Sequence, residues 1–381
     1  MKNILVLMGG ESTEHDISLI TGVQAINNFD KEKYKVFPVV IDKQGLWHFS
    51  FDFVSVDKIL GYFKNPKKRK EVVLLADKML YIKTKNRLKN LCHIDCAFLC
   101  CHGGFGENGA IQGFLECVNV PFVSPSHTES GLFMDKNLSK ILFKNLGINT
   151  TDWLVINKED YAKNKNHIID SIKEKLPGDK FIKPNSQGSS IGVGLAKDDS
   201  TLLDSIEKAF LFDNYVIVEK AVKNLYELNI AVTKINDEVV LSQIEKPINK
   251  NEVLSFSDKY ISNSKSGLNN MGRQLPAKIS KKLQTFVESS AKLVYTNFIK
   301  KGIVRIDYLV DKKSNDIYIN EVNTIPGSMS YYLWDKYSFG SLIDNLIEQS
   351  QKEQDKLLSL QKSFESSVLE KFGKGQKLNK L

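Results

Sequence analysis

Near the C-terminal end, the stretch GIVRIDYLVDKKSNDIYINEVNTIPG (302–327) crowds Arg305, Asp307, Glu321 and Asn323 into one short reversal of the chain. Arg305 and Asp307 alternate with Val304, Ile306 and Tyr308, so their side chains share one face of a strand. The polar run DKKSND turns the chain back. The returning strand presents Glu321 and Asn323 two residues apart on one face, ahead of the rigid Pro326-Gly327. Carboxylate and amide oxygens beside a guanidinium make a hard-cation site with a cationic neighbour. That suits Mg²⁺ shared between protein carboxylates and the phosphates of a nucleotide. The alternative is a solvated hairpin, but such faces ordinarily carry Lys, Thr or Ser.

A second stretch, FIKPNSQGSSIGVG (181–194), delivers Lys183 on a strand and then a loop of Gly188, Ser189, Ser190, Gly192 and Gly194. The N–H groups of such a loop can wrap phosphates while the lysine supplies a point charge. Gly-Lys-Ser/Thr is missing and no helix follows, so it is not a Walker loop; a plain Gly/Ser hairpin with an exposed lysine is the competing reading. Near the N-terminus, Gly9-Gly10-Glu11-Ser12-Thr13-Glu14 sits where a strand gives way to a helix, a favourable place for an anion. Glu14 there either holds the ammonium of an amino-acid substrate or caps the helix. Gly104-Phe105-Gly106-Glu107-Asn108-Gly109 satisfies G-x-G-x-x-G with Glu129 downstream, which taken literally predicts a nicotinamide oxidoreductase. Its place away from the first strand, and a Glu107 that would crowd a pyrophosphate, argue against that.

These residues need a sizeable scaffold, and 381 residues are enough for two or three domains. The net charge of +8 comes from 53 basic and 45 acidic residues intermingled, and Lys67 to Lys70 lacks interleaved aromatics, so no nucleic-acid partner is expected. A general excess of lysine favours anionic substrates. No apolar run approaches the ~20 residues of a membrane span. The start MKNILVLMGGEST reads as a strand and turn rather than a signal peptide, so a cytoplasmic protein without a membrane partner is expected. Of five cysteines, Cys92, Cys96, Cys100 and Cys101 crowd one apolar stretch and read as structural thiols of a buried strand rather than metal ligands.

The N-terminal third alternates strand and helix in the manner of an open parallel sheet. Strands are expected at Ile4–Met8, Lys35–Ile41, Glu71–Ala76, Met79–Thr84 and Cys96–Cys101. The first helix would have Thr13 and Asp16 as a capping box and Ile17, Ile20 and Val23 on its inner side. A helix over Lys136–Asn145 should end at Gly147. The fold class is thus α/β and α+β: an N-terminal open parallel-sheet domain (1–133), a small central unit (134–214), a third section (215–347) opening on the strand Tyr215–Lys220, and a helical or frayed tail (348–381). In that tail Leu357, Leu360, Phe364, Val368 and Phe372 are spaced for an amphipathic helix.

In family order, GGESTEHDISL, HGGFGENGAIQG, MDK (134–136), FIKPNSQGSSIGVG, VEKAVKNLYE, DKY (258–260) and GIVRID…NEVNTIPG resemble the D-alanine–D-alanine ligase family of ATP-grasp enzymes, over essentially Met1 to Ile347. The resemblance implies a two-part ATP-grasp fold behind the N-terminal domain. It also implies ATP, two Mg²⁺ ions with Mn²⁺ as a substitute, D-alanine as substrate and a homodimer. By the same likeness Lys136, Lys183 and Lys259 contact phosphates, Glu219, Lys220 and Val222 meet adenine, and Glu227 takes the ribose hydroxyls. Asp307, Glu321 and Asn323 look like the metal ligands, with Glu321 bridging. Glu14, Ser189 and Tyr260 match a hydrogen-bonded trio that fixes the first D-alanine, with His102 in the same substrate region. Arg305 and the Gly327 N–H resemble an oxyanion hole.

The chemistry so implied is ATP-dependent ligation in two steps through an acyl phosphate, yielding D-alanyl-D-alanine for peptidoglycan precursors. Loop closure would shield the intermediate from water. Two departures stand out. Asn108 replaces the aspartate common in the family, and Tyr332 falls where many relatives carry a serine for the acceptor carboxylate. Ser328, Ser330 or backbone groups are the candidates to replace it. Lys259-Tyr260 favours a dipeptide product over D-lactate, with a D-alanine–D-serine ligase as the nearest alternative; a nucleotide-binding regulator without turnover is disfavoured by the intact lysines and metal ligands.

Overall fold

The computed structural model describes residues 1–248, 272–361, 363 and 366, and every structural statement below concerns these. Five strands form the first sheet, in the order β3-β2-β1-β7-β8: β1 (Lys2–Gly9), β2 (Tyr34–Ile41), β3 (Trp47–Phe49), β7 (Cys96–Leu99) and β8 (Phe122–Val123). All neighbours are parallel except the edge strand β3. In the central strand Ile4 to Met8 are fully buried, as expected of an uninterrupted apolar run covered on both faces. Helix α1 (His15–Ile26) follows β1 directly; α2 (Val56–Phe63) follows β3, and the short α3 (Gly104–Glu107), α4 (Ala110–Cys117) and α5 (His127–Met134) complete this part.

Several expectations need correction here. The two short strands, β4 (Val72–Leu74) and β5 (Met79–Lys83), do not join the parallel sheet; with β6 (Leu88–His93) they form a separate antiparallel one. Cys92 therefore belongs to β6, and Cys96 alone opens β7. Helix α1 has Glu14 at its N-cap with no side-chain cap bond, so Thr13 and Asp16 make no capping box. Ile17 is buried but Ile20 is exposed, and Leu19 takes the inner place.

Helix α6 (Lys136–Asn145) ends with Gly147 at a positive φ, as expected. A four-stranded antiparallel sheet follows, in the order β11-β10-β12-β9: β9 (Trp153–Asn157), β10 (Lys180–Pro184), β11 (Gly194–Ala196) and β12 (Tyr215–Lys220), covered by α7 (Lys158–Lys175) and α8 (Asp199–Ala209). The strand Tyr215–Lys220, expected to open the third section, thus pairs inside the second sheet. The third sheet, also antiparallel, has the order β14-β13-β17-β18: β13 (Leu225–Ile235), β14 (Glu238–Leu241), β17 (Val304–Asp311) and β18 (Ile317–Asn323). The short pair β15 (Lys246–Pro247) and β16 (Arg273–Gln274) stands beside it, and α9 (Lys281–Phe298) packs across it. Phe143 and Ile148, at the end of α6 and after it, bury into this third core rather than the second.

The last helix among the described residues, α10 (Phe339–Leu358), runs straight through the expected boundary at 347/348. Its Phe339, Leu342, Ile343, Leu346 and Ile347 belong to the core of the first sheet, so a helix from the far end of the sequence packs onto that sheet. Leu357 and Leu360 are exposed, so the apolar stripe is buried earlier than the tail spacing suggests; Phe364, Val368 and Phe372 lie outside the described residues. Removing a fully buried side chain leaves a cavity, so Ile343→Ala is expected to cost about 2–5 kcal/mol in urea unfolding. A loss under about 1 kcal/mol would show that α10 is not part of that core.

Candidate active site

The hairpin that opened the sequence reading forms as β17 and β18, paired antiparallel with Arg305 opposite Asn323 and Asp307 opposite Glu321. Along β17 the residues alternate between buried and half-buried, so Val304, Ile306 and Tyr308 enter the core and Arg305 and Asp307 face outward together. Arg305 grips Asp307 with both ends of its guanidinium, Nε to Oδ1 at 2.7 Å and Nη2 to Oδ2 at 2.7 Å. Asn323 Nδ2 donates to Asp307 Oδ2 at 3.1 Å. The donor set of two carboxylates and an amide is all oxygen, which fits a hard cation such as Mg²⁺.

This face looks into a cleft between the second and third sheets. Lys136 from the start of α6, Lys183 from β10 and Ser189 from the Gly/Ser loop line it. Glu219 and Lys220 at the end of β12, Val222 just after it and Glu227 on β13 line it too, with Asp307 and Glu321. Phe181, Val193, Leu225 and Leu309 add an apolar stretch to the wall. A slot with both apolar and cationic lining can take a base and its phosphates. Lys259 and Tyr260, expected as a third phosphate contact and a member of the donor trio, lie outside the described residues.

Glu219 is only 2% exposed, yet it is held ionised. Burial alone would raise its pKa, but the ammonium groups of Lys140 and Lys183 take it down to about 2. Lys183 Nζ lies 2.6 Å from Oε2 and Lys140 Nζ 2.9 Å from Oε1. Lys183 also donates to Asn320 Oδ1 at 3.2 Å, across to β18. For Lys183, burial works against the charge, and Glu219, Glu321 and Glu227 together more than restore it. Lys136 donates to the Gln187 carbonyl, and burial lowers its pKa.

At the first sheet's end of the cleft, the Ser189 hydroxyl bonds to Glu14 Oε1. This carboxylate is seated between two glycines: a Cβ on Gly103 or on Gly188 would stand 2.7 Å from Glu14 Oε2. Gly103 also has φ +65, so that position needs glycine twice over. Glu107 is turned inward, accepting from the N–H groups of Gly103 (2.7 Å) and Ile325 (3.2 Å). Burial, then the charge of Glu14, pushes it up to about 8. With its carboxylate committed there, the Gly104–Gly109 stretch braces the hairpin's exit and offers no dinucleotide loop.

His102 Nε2 lies 2.8 Å from Thr21 Oγ1, which in turn accepts from the Ser328 N–H at 3.0 Å. Burial takes His102 down to about 4, so the ring is neutral at pH 7. Ser328, Met329 and Ser330 follow Gly327 with φ between +49 and +53, a left-handed turn that strains three non-glycine residues by roughly 1 kcal/mol or more each. Ser330 Oγ is buried and finds no partner among the described residues. Tyr332 lies under the Arg273 guanidinium, 4.5 Å from the ring centre, and Arg273 stands 3.5 Å from Glu245.

The sequence reading missed Lys140, Asn320, Thr21 and Arg273. Only Lys140 carried a signal: it is four residues after Lys136, hence on the same helix face. Cys92, Cys96 and His93 do not gather as ligands; among the described residues no three His, Cys, Asp or Glu side chains are placed to hold a metal by themselves.

A profile of the D-ala D-ala ligase N-terminus matches residues 3–125, and one of its C-terminus matches residues 142–349. The D-alanine–D-alanine ligase of Clostridium novyi is 35% identical over 361 residues, covering 91% of this chain and 97% of its own. Among solved structures, the D-alanine–D-alanine ligase of Helicobacter pylori superposes with a TM-score of 0.74 at 26% identity, over 92% of this chain and 98% of that one. The VanG D-Ala:D-Ser ligase of Enterococcus faecalis does so at 0.76 and 27%, over 92% and 99%. Two ligases with different acceptors therefore share this fold equally well.

The buried imidazole gives a pH test. Its folded pKa lies below the ordinary 6.5, so the unfolded chain binds the proton first. The stability held by neutral His102 is whole above about pH 6.5 and is lost as pH falls toward 4, on the order of 3 kcal/mol. An NMR titration should place the His102 midpoint near 4; a midpoint near 6.5 would contradict the buried, Thr21-bonded ring.

Proposed function

The chain belongs to the D-alanine–D-alanine ligase family, and from that premise we propose that it joins two D-alanine molecules with cleavage of ATP. The observation that carries this is the cleft in which half-buried lysines of α6 and β10 stand together with the carboxylates of the β17–β18 hairpin. Lys136 and Lys183 are the phosphate contacts, with Lys259 as the third. Adenine lies against Phe181, Val222 and Leu225 beside Glu219 and Lys220, and Glu227 takes the ribose hydroxyls. Asp307, Glu321 and Asn323 are the residues that would hold Mg²⁺. The metal, when bound, neutralises charge on the transferred phosphoryl group.

Glu14, buttressed by Ser189 and by Tyr260 in this reading, takes the ammonium of the first D-alanine and aims its carboxylate at the γ-phosphate. A carboxylate oxygen bonds to phosphorus and ADP leaves, giving the acyl phosphate. The free amine of the second D-alanine attacks that carbonyl, loses a proton, and expels phosphate. Arg305 and the Gly327 N–H stand as the groups that stabilise the oxyanion. His102, neutral, orders the turn through Thr21 and Ser328 and carries no charge to repel the acceptor's amine. The acceptor's carboxylate falls to the segment of Ser328, Ser330 and Tyr332. The product is the dipeptide of peptidoglycan precursors. A cytoplasmic homodimer without nucleic-acid or membrane partners completes the reading; no helix among the described residues is long and apolar enough to cross a membrane.

Phosphate release from ATP and Mg²⁺ should appear with D-alanine and not with L-alanine, and mass analysis should find D-alanyl-D-alanine. Release without D-alanine dependence would overturn the reading, and preferred capture of D-serine would reassign the acceptor. Glu321→Ala should lower turnover by at least about a hundredfold, since it removes a carboxylate facing the transferred charge. Retained activity would remove Glu321 from the metal set.

A further inference from the structure

Lys140 is the most deeply buried lysine beside the cleft, 1% exposed, and it does not line the cleft itself. Its ammonium donates to Thr150 Oγ1 at 2.9 Å and Thr151 Oγ1 at 2.8 Å, and it stands 2.9 Å from Glu219 Oε1. The Thr151 carbonyl lies 3.4 Å away as well, and Glu219 Oε1 is met as an ion pair, so these neighbours surround an ammonium that does not reach the cleft. Thr150 Oγ1 in turn donates to the Ile319 carbonyl of β18 at 3.0 Å. On the other side of Glu219, Lys183 reaches Asn320, also of β18. The polar contacts therefore close a ring: Ile319, Thr150, Lys140, Glu219, Lys183 and Asn320, joining the second sheet to the third behind the cleft.

In this ring Glu219 has one lysine on each carboxylate oxygen, and the two lysines differ in freedom. Lys140 is committed on every side, whereas Lys183 borders the cleft. We propose that Lys140 is a positioning residue for nucleotide binding. It holds Glu219 from behind the cleft wall, so Lys183 can exchange that carboxylate for a phosphate oxygen without stranding a buried charge. Without Lys140, the only cation left on Glu219 in the ring is Lys183, and a buried carboxylate binds its last partner tightly. The lysine meant for phosphate would then be trapped. This rests on the reading of Lys183 as a phosphate contact.

The test is calorimetric titration with ATP, without amino acid, of wild type, Lys140→Met, Glu219→Gln and the double variant. Lys140→Met should weaken ATP binding by about tenfold or more, while KM for D-alanine moves less than about twofold. In the Glu219→Gln background, adding Lys140→Met should change the ATP Kd by less than about twofold, because no carboxylate remains to trap Lys183. If the single variant fails to fold, the comparison within the Glu219→Gln background still decides, since removing both charges leaves no imbalance. Wild-type ATP affinity in Lys140→Met, or a further tenfold loss in the Glu219→Gln background, would overturn the proposal. The titration contains no amino acid and is read independently of turnover: absence of dipeptide in the separate assay with D-alanine would refute the ligase reading, while the ATP affinities would still decide the role of Lys140.

Discussion

A carboxylate cannot remain charged in a protein interior unless cations are brought to it, and the cleft is organised around that requirement at Glu219. The two lysines that meet it come from α6 and β10, while the strand that carries Glu219 ends at the cleft wall. Both lysines also reach toward β18, Lys183 through Asn320 and Lys140 through Thr150. Satisfying one buried charge thus ties the second sheet to the third beside the cleft. Breaking such a pair is far costlier than never having built it, because the survivor is left buried and alone.

The remaining charges are arranged on the same principle. Arg305 and Asp307 neutralise each other across two short bonds, and Asn323 joins them from the facing strand. Glu14 sits where two backbone segments approach without side chains, so its position follows from Gly103 and Gly188 as much as from its own rotamer. A neutral His102 and an inward-turned Glu107 tie the exit of β18 to the first sheet without adding net charge at the reacting centre. The result is a cavity in which lysines and carboxylates line the walls together, the arrangement on which the proposed roles for phosphates, metal and ammonium rest.

Local sequence carried the hairpin and the Gly/Ser loop, because alternation and turn chemistry act over a few residues and the pairing of β17 with β18 is itself local. It could not carry sheet membership. The strand Tyr215–Lys220 reads the same in either sheet, and only its pairing with β9 and β10 assigns it. β6 is exposed and polar along LKN, so it lacks the apolar signature of a strand and exists through its pairing with β5. Helix α10 packs onto the first sheet through contacts more than 300 residues away in sequence, such as Lys33 to Asp344, which no window of sequence displays. Lys140 was hidden for a different reason: a lysine on a helix is ordinarily solvated, and its burial depends on Thr150, Thr151 and Glu219 arriving together.

Ligation as proposed requires that a carboxylate oxygen of the first D-alanine bond to the phosphorus of ATP. Oxygen tracing tests that step most directly. D-alanine labelled with ¹⁸O in its carboxylate should be turned over with unlabelled ATP, and the released phosphate should be analysed by mass. One ¹⁸O per phosphate, with a singly labelled new amide carbonyl, is the result predicted. Phosphate free of label alongside dipeptide would mean that the carboxylate is activated some other way, and would contradict the assignment of the cleft.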